Sequence, residues 1–510
     1  MNILDLAVIA AYLIGMAAIA IWFAPRIHDT EEYFVGGRRI AGWVIGLSLV
    51  GTSISSITFL AYPADAYRTA WLRYLPNLAL PVAVLIAARL FLPHFRRAGT
   101  ITAYEFLERR YGPSVRVYAA LAFIIAQVVR ISMILYLLAL LVQQVTGLPP
   151  LASIVLAGLF VGAYTWAGGI DAVIWTDVIQ TVVLVVGGLA ALWVVVEALP
   201  GGLGQVIEEA MAAGKLAFSE LDANGALREV DWSLALDHKT GTMMLLIGLV
   251  AWLTEYSANQ NTVQRYCAAE SDAAARRAMY LCAAASLPIW AFYMFLGSAL
   301  WVFYRHFPAD LPQAILAGAE RAEQIFPYFI VNELPAGVAG LVIAAALAAA
   351  MSSLDSSLNA LSAVSVHDLY RRHLAPDRDE PHYLRMARRI TAVCTLLMMA
   401  GALLLLYSET RTLQHLATIL TSLLGGGLLG IYLTGFLSRL GDSRAVWVGI
   451  VLTLAFTGWT LLQKQGWLPQ ALTLPFDLYY TGLIGNLVMI AGIVMTAILL
   501  GTRKKEPSHA

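Results

Sequence analysis

Long runs of apolar residues recur along this chain, and short polar segments separate them. The hydrocarbon core of a bilayer is about 30 Å thick, so a helix needs about 20 apolar residues to cross it. The pattern therefore predicts an all-α integral membrane protein of about thirteen transmembrane helices. The predicted spans are approximately 4–24, 41–65, 71–95, 117–147, 150–166, 172–199, 241–258, 279–304, 335–366, 390–408, 412–437, 445–463 and 479–502.

The composition supports a membrane protein and argues against other classes. Of the 510 residues, 59% are hydrophobic and 13% are charged, whereas soluble domains have about 45–50% apolar and about 25% charged residues. Basic and acidic residues number 33 each, so net charge does not favour a nucleic-acid partner. Cys267, Cys282 and Cys394 lack metal-binding spacing and are interpreted as small apolar side chains. No histidine lies near a predicted helix centre, which argues against a membrane-embedded enzyme.

The basic residues between the spans predict the orientation of the chain. Membrane proteins carry an excess of Lys and Arg in their cytoplasmic loops. With the N-terminus outside, 22 basic residues, Arg265 among them, lie on the cytoplasmic side and 9 lie outside. An odd number of spans then places the C-terminus in the cytoplasm, as in a multi-pass protein of the cytoplasmic membrane. The segment 200–240 becomes an outer loop with one short amphipathic helix.

One predicted span carries a polar stripe with a carboxylate in it. Ser352, Asp355, Ser356 and Asn359 recur at helical spacing and share a face, while Ser353 lies on the adjacent stripe. A charged residue at a helix centre costs about 2.5–3.5 kcal/mol on insertion scales, so it is a functional candidate. Clustered oxygen atoms suit a hard monovalent cation. The alternative is that these serines only bond back to the preceding turn.

A second span is expected to supply the other half of such an ion site. Gly51 and the polar cluster 52–58 are predicted to interrupt this helix near mid-membrane, and Pro63 follows. Broken membrane helices expose carbonyl groups that coordinate sodium. The alternative is a loosely packed glycine that leaves the helix unbroken.

Three further charged residues fall within or beside predicted spans. Arg130 lies too deep to reach either surface, and its guanidinium matches a carboxylate bidentately. It is expected to bind an acidic solute or, alternatively, to pair with Asp177 or Glu255. Asp177 lies one turn inside a helix, where it either is solvated or takes part in a site. Glu255 is interpreted as an exposed or cap-adjacent carboxylate.

Several segments, in this order, resemble the sodium/solute symporter family. They are EEYFVGG (31–37), SSITF (55–59), TITAYEFLERRYG (100–112), TWAGGIDAVIWTDVIQ (165–180), NQNTVQRY (259–266) and AAAMSSLDSSLNALS (348–362). The resemblance covers residues 4–502 and implies one transporter domain with two inverted five-helix repeats and broken core helices. It divides the chain into an extra N-terminal helix (1–40), a first repeat (41–199), a second repeat (241–437), and two C-terminal helices with a short tail (438–510).

The chain most resembles the branch of bacterial sialic acid transporters, and this resemblance implies two sodium sites. Their residues fall on Gly51, Ile54, Ala349, Ser352 and Ser353 for the first site, and on Asp177, Ser352, Asp355 and Ser356 for the second. Asp355 departs from the branch, which carries serine there. This carboxylate is expected either to tighten sodium binding or to carry a proton, so one or two sodium ions per cycle are expected.

The same resemblance implies a substrate site and hence a function. The site falls on Ser53, Ser55, Thr58, Arg73, Asn77 and Arg130. Arg73 replaces an aromatic residue and Asn77 a glutamine, while Thr418 aligns with a glutamine of the sugar-transporting branch. The expectation is a monomeric symporter that uses sodium to import a small polar solute, a carboxylate such as sialic acid. The alternatives are a neutral hexose as substrate, or a membrane sensor.

Overall fold

The computed structural model describes residues 2–97, 99–222, 225–407 and 426–502, and nearly all of its regular structure is helical. In chain order the helices are α1 (Ile3–Phe23), α2 (Thr30–Val35), α3 (Gly42–Ser53), α4 (Ser56–Arg68), α5 (Leu80–Arg97), α6 (Tyr104–Tyr111), α7 (Pro113–Thr146), α8 (Pro150–Ala198), α9 (Gly202–Ala212), α10 (Gly241–Ser257), α11 (Gln260–Cys267), α12 (Asp272–His306), α13 (Asp310–Leu316), α14 (Ile325–Asn332), α15 (Val338–Val364), α16 (Glu380–Tyr407), α17 (Leu428–Leu437), α18 (Ser443–Lys464) and α19 (Thr481–Leu500).

Several of these helices are extended by 3₁₀ or π-helical turns, α5 and α15 by the longest. A 3₁₀ segment, Leu72–Ala79, leads into α5, and a π-helical segment, Ser365–Leu374, continues α15. The two strands, β1 (Ser219–Leu221) and β2 (Leu227–Glu229), pair antiparallel in the segment between α9 and α10.

The described residues contain nine helices long and apolar enough to cross a membrane, and up to eleven if each bent pair is one span. The two bent pairs are α3 with α4 and α10 with α11, each bent by 54°. The predicted span 412–437 lies in large part outside the described residues, so the total of thirteen stays a prediction. The predicted membrane class with broken helices is confirmed.

The longest helix, α8, is divided by a glycine. Gly169 has φ 53° and ψ −155°, which leaves the helical region and separates the predicted spans 150–166 and 172–199. A side chain there would be strained, and its Cβ would lie 2.9 Å from the carbonyl oxygen of Tyr33. The Tyr33 hydroxyl donates to the carbonyl oxygens of Thr165 and Trp166, both at 3.4 Å. The EEYFVGG segment therefore satisfies carbonyl groups that the break leaves without helical partners.

The break in the second span lies within the predicted segment 51–58, three residues beyond Gly51. Gly51 itself is helical, and the chain leaves the helix at Ile54, with φ −105° and ψ 92°. A Cβ on Gly51 would lie 2.7 Å from the Thr181 hydroxyl and 3.1 Å from the Asp177 carbonyl oxygen. The predicted interruption within the segment 51–58 is therefore confirmed, although Gly51 is not the residue at which the helix breaks. Gly51 allows α3 to approach α8 closely, and the interruption follows it.

Helix α15 forms the centre of the bundle. It packs against α8, α7, α1 and α16, and every residue from Ala348 to Val364 is buried. Small residues permit this packing: a Cβ on Gly187 of α8 would lie 2.6 Å from the Cβ of Ala345. Asp5 of α1 accepts hydrogen bonds from the backbone nitrogens of Gly337 and Gly340, which caps the start of α15.

The segment between α8 and α10 contains the predicted amphipathic helix, which is α9. Its apolar face buries Val206 and Ala210, spaced by one turn. Beyond it, the Lys215 ammonium donates to the carbonyl oxygens of Tyr67 at 2.7 Å and Thr69 at 2.9 Å, near the end of α4. Burial lowers the pKa of Lys215 to about 7. This segment therefore stabilises the C-terminal end of α4, the second half of the broken helix.

Candidate functional site

The polar stripe of α15 lies between the two broken helices. The end of α3 contacts it through Gly51, and α11 contacts it through Asn261, whose amide nitrogen is 3.3 Å from the Ser357 hydroxyl. Helix ends carry backbone groups without helical partners, and these have to be satisfied within the protein because lipid offers none. The polar side chains of α15 therefore meet two sets of such groups in the middle of the bundle.

Oxygen atoms from α3 and α15 gather around Ser352. Its hydroxyl lies 3.1 Å from the carbonyl oxygen of Gly51 and 3.3 Å from that of Ala349. The neighbouring Ser353 is 2% exposed, and its hydroxyl has no hydrogen-bond partner in the described part of the chain. A buried hydroxyl without a partner costs free energy unless something else binds it.

These atoms belong to the first predicted sodium site. The structure brings Gly51, Ala349 and Ser352 into contact, with Ser353 beside them, while Ile54 is the buried residue at which α3 ends. All contributing atoms are oxygens, which hard cations prefer, and the end of a broken helix supplies one carbonyl. This arrangement suits a monovalent cation held between α3 and α15.

Asp177, which the second predicted site includes, forms a buried ion pair with Arg265. The Arg265 Nη2 atom lies 2.7 Å from Oδ2 of Asp177 and also donates to the Ser356 hydroxyl. Ser48 bonds both partners, donating to Asp177 at 2.6 Å and accepting from Arg265 Nε at 2.8 Å. The other Asp177 oxygen, Oδ1, is buried and has no hydrogen-bond partner among the described residues. The carboxylate therefore keeps one oxygen for a further ligand.

Arg265 is the residue that sequence reasoning misplaced. It was predicted to lie in a cytoplasmic loop, but it belongs to α11 and is 1% exposed. The spacing of Asn261, Gln264 and Arg265 was an available signal, because residues three and four apart share a helix face. That face bonds to the α15 stripe at Ser357, Asn359 and Ser356 respectively.

Asp355 faces α8 on both sides of its break at Gly169, and a different set of donors surrounds it. Its Oδ2 accepts hydrogen bonds from the Tyr164 hydroxyl at 2.6 Å and from the Thr176 hydroxyl at 3.4 Å. Its Oδ1 accepts from the backbone nitrogen and the hydroxyl of Ser356. Ser356 also accepts from Arg265, so it links the two carboxylate clusters. Asp177 thus pairs with Arg265 directly, and Asp355 is connected to that pair through Ser356.

Three of the predicted substrate residues lie at the α3–α4 break, while Arg73 and Asn77 lie in the 3₁₀ segment before α5 and Arg130 lies on α7. Ser53 donates to the Leu49 carbonyl at 2.7 Å, and Thr58 is buried at the start of α4. Ser55 occupies the extended position between the helices. Asn77 donates to the Tyr62 hydroxyl at 2.6 Å.

Arg73 already has an acidic partner. It forms an ion pair with Asp65 of α4. Thr418 lies outside the described residues.

Arg130 differs from Arg73 and Arg265, which both form ion pairs with an aspartate. It is half-buried in α7, and no hydrogen bond or ion pair joins it to the residues that the structure describes. Neither alternative partner is used: Asp177 binds Arg265, and Glu255 accepts from Asn259 and Thr262. The guanidinium therefore has donors that no described residue uses.

Broken helices that meet a polar stripe with buried carboxylates and hydroxyls define a secondary transporter with an ion site. The chain belongs to the sodium:solute symporter family, which it matches over residues 33–451. It is therefore a multi-pass, sodium-coupled symporter, and not an enzyme.

Relatives of known function match nearly the whole chain. The sodium/sialic acid symporter SiaT of Proteus mirabilis is 30% identical over 98% of this chain and 96% of its own length. The sodium/sialic acid symporter NanT of Aliivibrio fischeri is 32% identical over 96% of this chain and 91% of its own. A substrate-bound, outward-open Na⁺-coupled sialic acid symporter superposes with a TM-score of 0.87, at 28% identity, over 99% of this chain and all of the other.

Proposed function

We propose that this symporter imports a small polar carboxylate of the sialic acid class, with Arg130 binding the carboxylate. The single observation that carries this proposal is the Arg130 guanidinium, which lies within the bundle without an acidic partner among the described residues. An arginine inside a membrane is expensive and is retained where it has a partner to bind. The two similar sialic acid symporters support the choice of substrate. The protein acts as a monomer in the cytoplasmic membrane, with its N-terminus outside and its C-terminus in the cytoplasm.

The first sodium ion binds between α3 and α15. Its ligands are the carbonyl oxygens of Gly51, Ile54 and Ala349 and the hydroxyls of Ser352 and Ser353. The Ser352 contacts and the unpartnered Ser353 hydroxyl support this assignment. An ion at this point joins the broken helix to the central helix and stabilises the arrangement in which the solute site is formed.

A second sodium ion binds near Asp177, Ser352, Asp355 and Ser356. The charge of the cluster supports it, because Asp177 and Asp355 in their ionised forms carry two negative charges and Arg265 supplies one positive charge. One further monovalent cation balances a buried cluster whose uncompensated charge is costly. The carboxylate of Asp355 strengthens this site relative to the serine of the sialic acid branch.

Alternating access then couples the ions to the solute. Sodium and the acid bind from outside, the broken helices rock against α15, and low internal sodium empties the sites. Each positive charge that crosses contributes about 2.3 kcal/mol per 100 mV of membrane potential. Two sodium ions with one monoanion carry one net charge, so uptake is expected to increase with an inside-negative potential.

Uptake into proteoliposomes tests this function directly. An inward sodium gradient is expected to drive accumulation of N-acetylneuraminate above its external concentration, and an inside-negative potential is expected to increase it. A neutral hexose serves as the comparison solute. Full accumulation under a proton gradient without sodium, or preference for the hexose, would contradict the proposal.

The hydroxyls of the first sodium site make a separate prediction. Ser352→Ala and Ser353→Ala are each expected to raise the sodium concentration for half-maximal uptake by roughly three- to tenfold, since each removes one ligand worth about 1 kcal/mol. Ser362→Ala is the matched control, because Ser362 lies on the same helix but donates to the Ala387 carbonyl, away from the site. Unchanged sodium dependence in both site variants would refute the assignment.

A further inference from the structure

Glu255 lies about one helical turn before the break between α10 and α11. The chain leaves the helix at Ala258 and Asn259, where Asn259 has φ −86° and ψ 113°. Its carboxylate accepts hydrogen bonds across this break, from the Asn259 amide at 2.7 Å and from the Thr262 hydroxyl at 2.6 Å. These contacts hold the carboxylate at the point where the two half-helices meet.

This carboxylate has no cationic partner. No Lys, Arg or His forms an ion pair with Glu255 in the described ranges, in contrast to Asp177. Each of its oxygens receives one hydrogen bond, and a carboxylate oxygen accepts about two. Glu255 therefore retains acceptor capacity on a half-buried charge.

A cavity of about 710 Å³ provides room for a ligand next to this carboxylate. Its wall includes Glu255, Thr254 and Asn259 at the break and Ala126 and Gln127 on α7. The volume falls within the range of about 300–1,000 Å³ found for small-molecule sites. The cavity thus joins the second broken helix to the helix that carries Arg130.

Arg130 belongs to the same face of α7 as the cavity wall. Ala126, Gln127 and Arg130 are spaced by three and four residues, so they share one face, and Arg130 lies about 4.5 Å along the axis from Gln127. A solute whose carboxylate binds Arg130 can therefore extend along α7 towards Glu255.

We propose that Glu255 is a specificity-determining residue that accepts hydrogen bonds from hydroxyl groups of the transported acid. The inference rests on the proposed function and names the substrate class more narrowly. The carboxylate end binds Arg130, and the hydroxyl-bearing end binds Glu255, so polyhydroxylated acids are selected over simple monocarboxylates. Charged acceptors make stronger hydrogen bonds than neutral ones, so the carboxylate contributes more to this selection than an amide would.

An alternative role for Glu255 is to stabilise the break between α10 and α11 through its hydrogen bonds to Asn259 and Thr262. Thr262→Val separates the two roles, because it removes the donor to Glu255 and leaves the carboxylate in place. If Glu255 only stabilises the break, Thr262→Val is expected to change substrate preference in the same way as Glu255→Gln. If Glu255 contacts the solute, the two variants differ in substrate preference.

The test compares two acids in proteoliposomes with an inward sodium gradient. N-acetylneuraminate offers hydroxyl donors, and propionate offers a carboxylate without them. Glu255→Gln is expected to lower the ratio of kcat/KM for N-acetylneuraminate over propionate at least about tenfold, and Thr262→Val is expected to preserve the ratio. Glu255→Asp, which keeps the charge, is expected to give an intermediate ratio. The sodium concentration for half-maximal uptake is expected to stay unchanged in all three variants.

Three outcomes would overturn the inference. One is an unchanged ratio in Glu255→Gln and Glu255→Asp, and another is the same loss of ratio in Thr262→Val. A wild-type protein that prefers propionate would also overturn it, while leaving sodium-driven uptake of an acid intact. If the wild-type protein accumulates neither acid, the proposed function fails first, which distinguishes the two failures. Sodium-dependent protection of the purified variants from thermal unfolding verifies that they fold.

Discussion

Replacing Arg265 by glutamine is expected to destabilise the protein by about 3–5 kcal/mol and to abolish transport. The guanidinium is 1% exposed and lies 2.7 Å from the carboxylate of Asp177, which is fully buried. Removal of one partner leaves the other charge uncompensated inside the bundle, together with Asp355. Glutamine supplies no positive charge to replace that of the guanidinium. It also has fewer hydrogen-bond donors, so it replaces the bonds from Arg265 to Ser48 and Ser356 only in part.

Thermal unfolding of the purified protein in detergent measures this effect. The double variant Arg265→Gln with Asp177→Asn is expected to recover most of the lost stability, because it removes both charges together. Arg39→Gln is the matched control: Arg39 pairs with Glu32 at 3.5 Å, but its side chain is 73% exposed. Such exposed pairs contribute about 0–1 kcal/mol. Equal stability losses in Arg265→Gln and Arg39→Gln, or no recovery in the double variant, would contradict the assigned role.

Hydrophobic periodicity predicted most of the transmembrane spans, because each span has to be apolar over its length regardless of its neighbours. The polar cluster placed the break of the second span within the segment 51–58 but did not fix the residue at which the helix ends. Glycine is a poor helix former, so Gly51 was the natural candidate, yet the helix continues through it and ends at Ile54. Gly51 is required by the approach of α3 to Asp177 and Thr181, and those contacts exist only in the folded bundle.

The partners of the buried charged residues could not be predicted from the sequence either. Helical spacing showed that Ser352, Asp355 and Ser356 share one face, and the structure confirms that shared stripe. Spacing does not show which distant residue meets that face. Arg265 meets it because α11 follows a break and turns its polar side inward, and Tyr164 and Thr176 meet Asp355 from the two sides of Gly169. Local sequence gives neither the angle between two half-helices nor the distant residue that a polar side chain contacts.

Replacing Arg130 by alanine is expected to lower the transporter's preference for an acid over its methyl ester by at least about 100-fold. A bidentate, charge-assisted pair with a carboxylate contributes about 3 kcal/mol, and each 1.4 kcal/mol corresponds to a factor of ten. The ester retains the remainder of the solute and removes only the negative charge. Because Arg130 has no partner within the described parts of the protein, its loss leaves no buried carboxylate unpaired. The effect should therefore fall on recognition of the acid and leave folding unchanged.

The acid and its methyl ester are compared as inhibitors of labelled N-acetylneuraminate uptake by the wild-type protein. Where a variant no longer transports, sodium-dependent binding of the two compounds is measured instead. Arg130→Lys is expected to retain part of the preference, because an ammonium keeps the charge but lacks the planar pair of donors. Arg89→Ala is the matched control, since Arg89 is a second arginine within a span but its side chain is exposed on α5. Equal loss of affinity for acid and ester in Arg130→Ala would assign Arg130 a structural role. A selective loss that spares the sodium dependence would place the solute carboxylate on α7 and separate substrate recognition from the ion sites on α15.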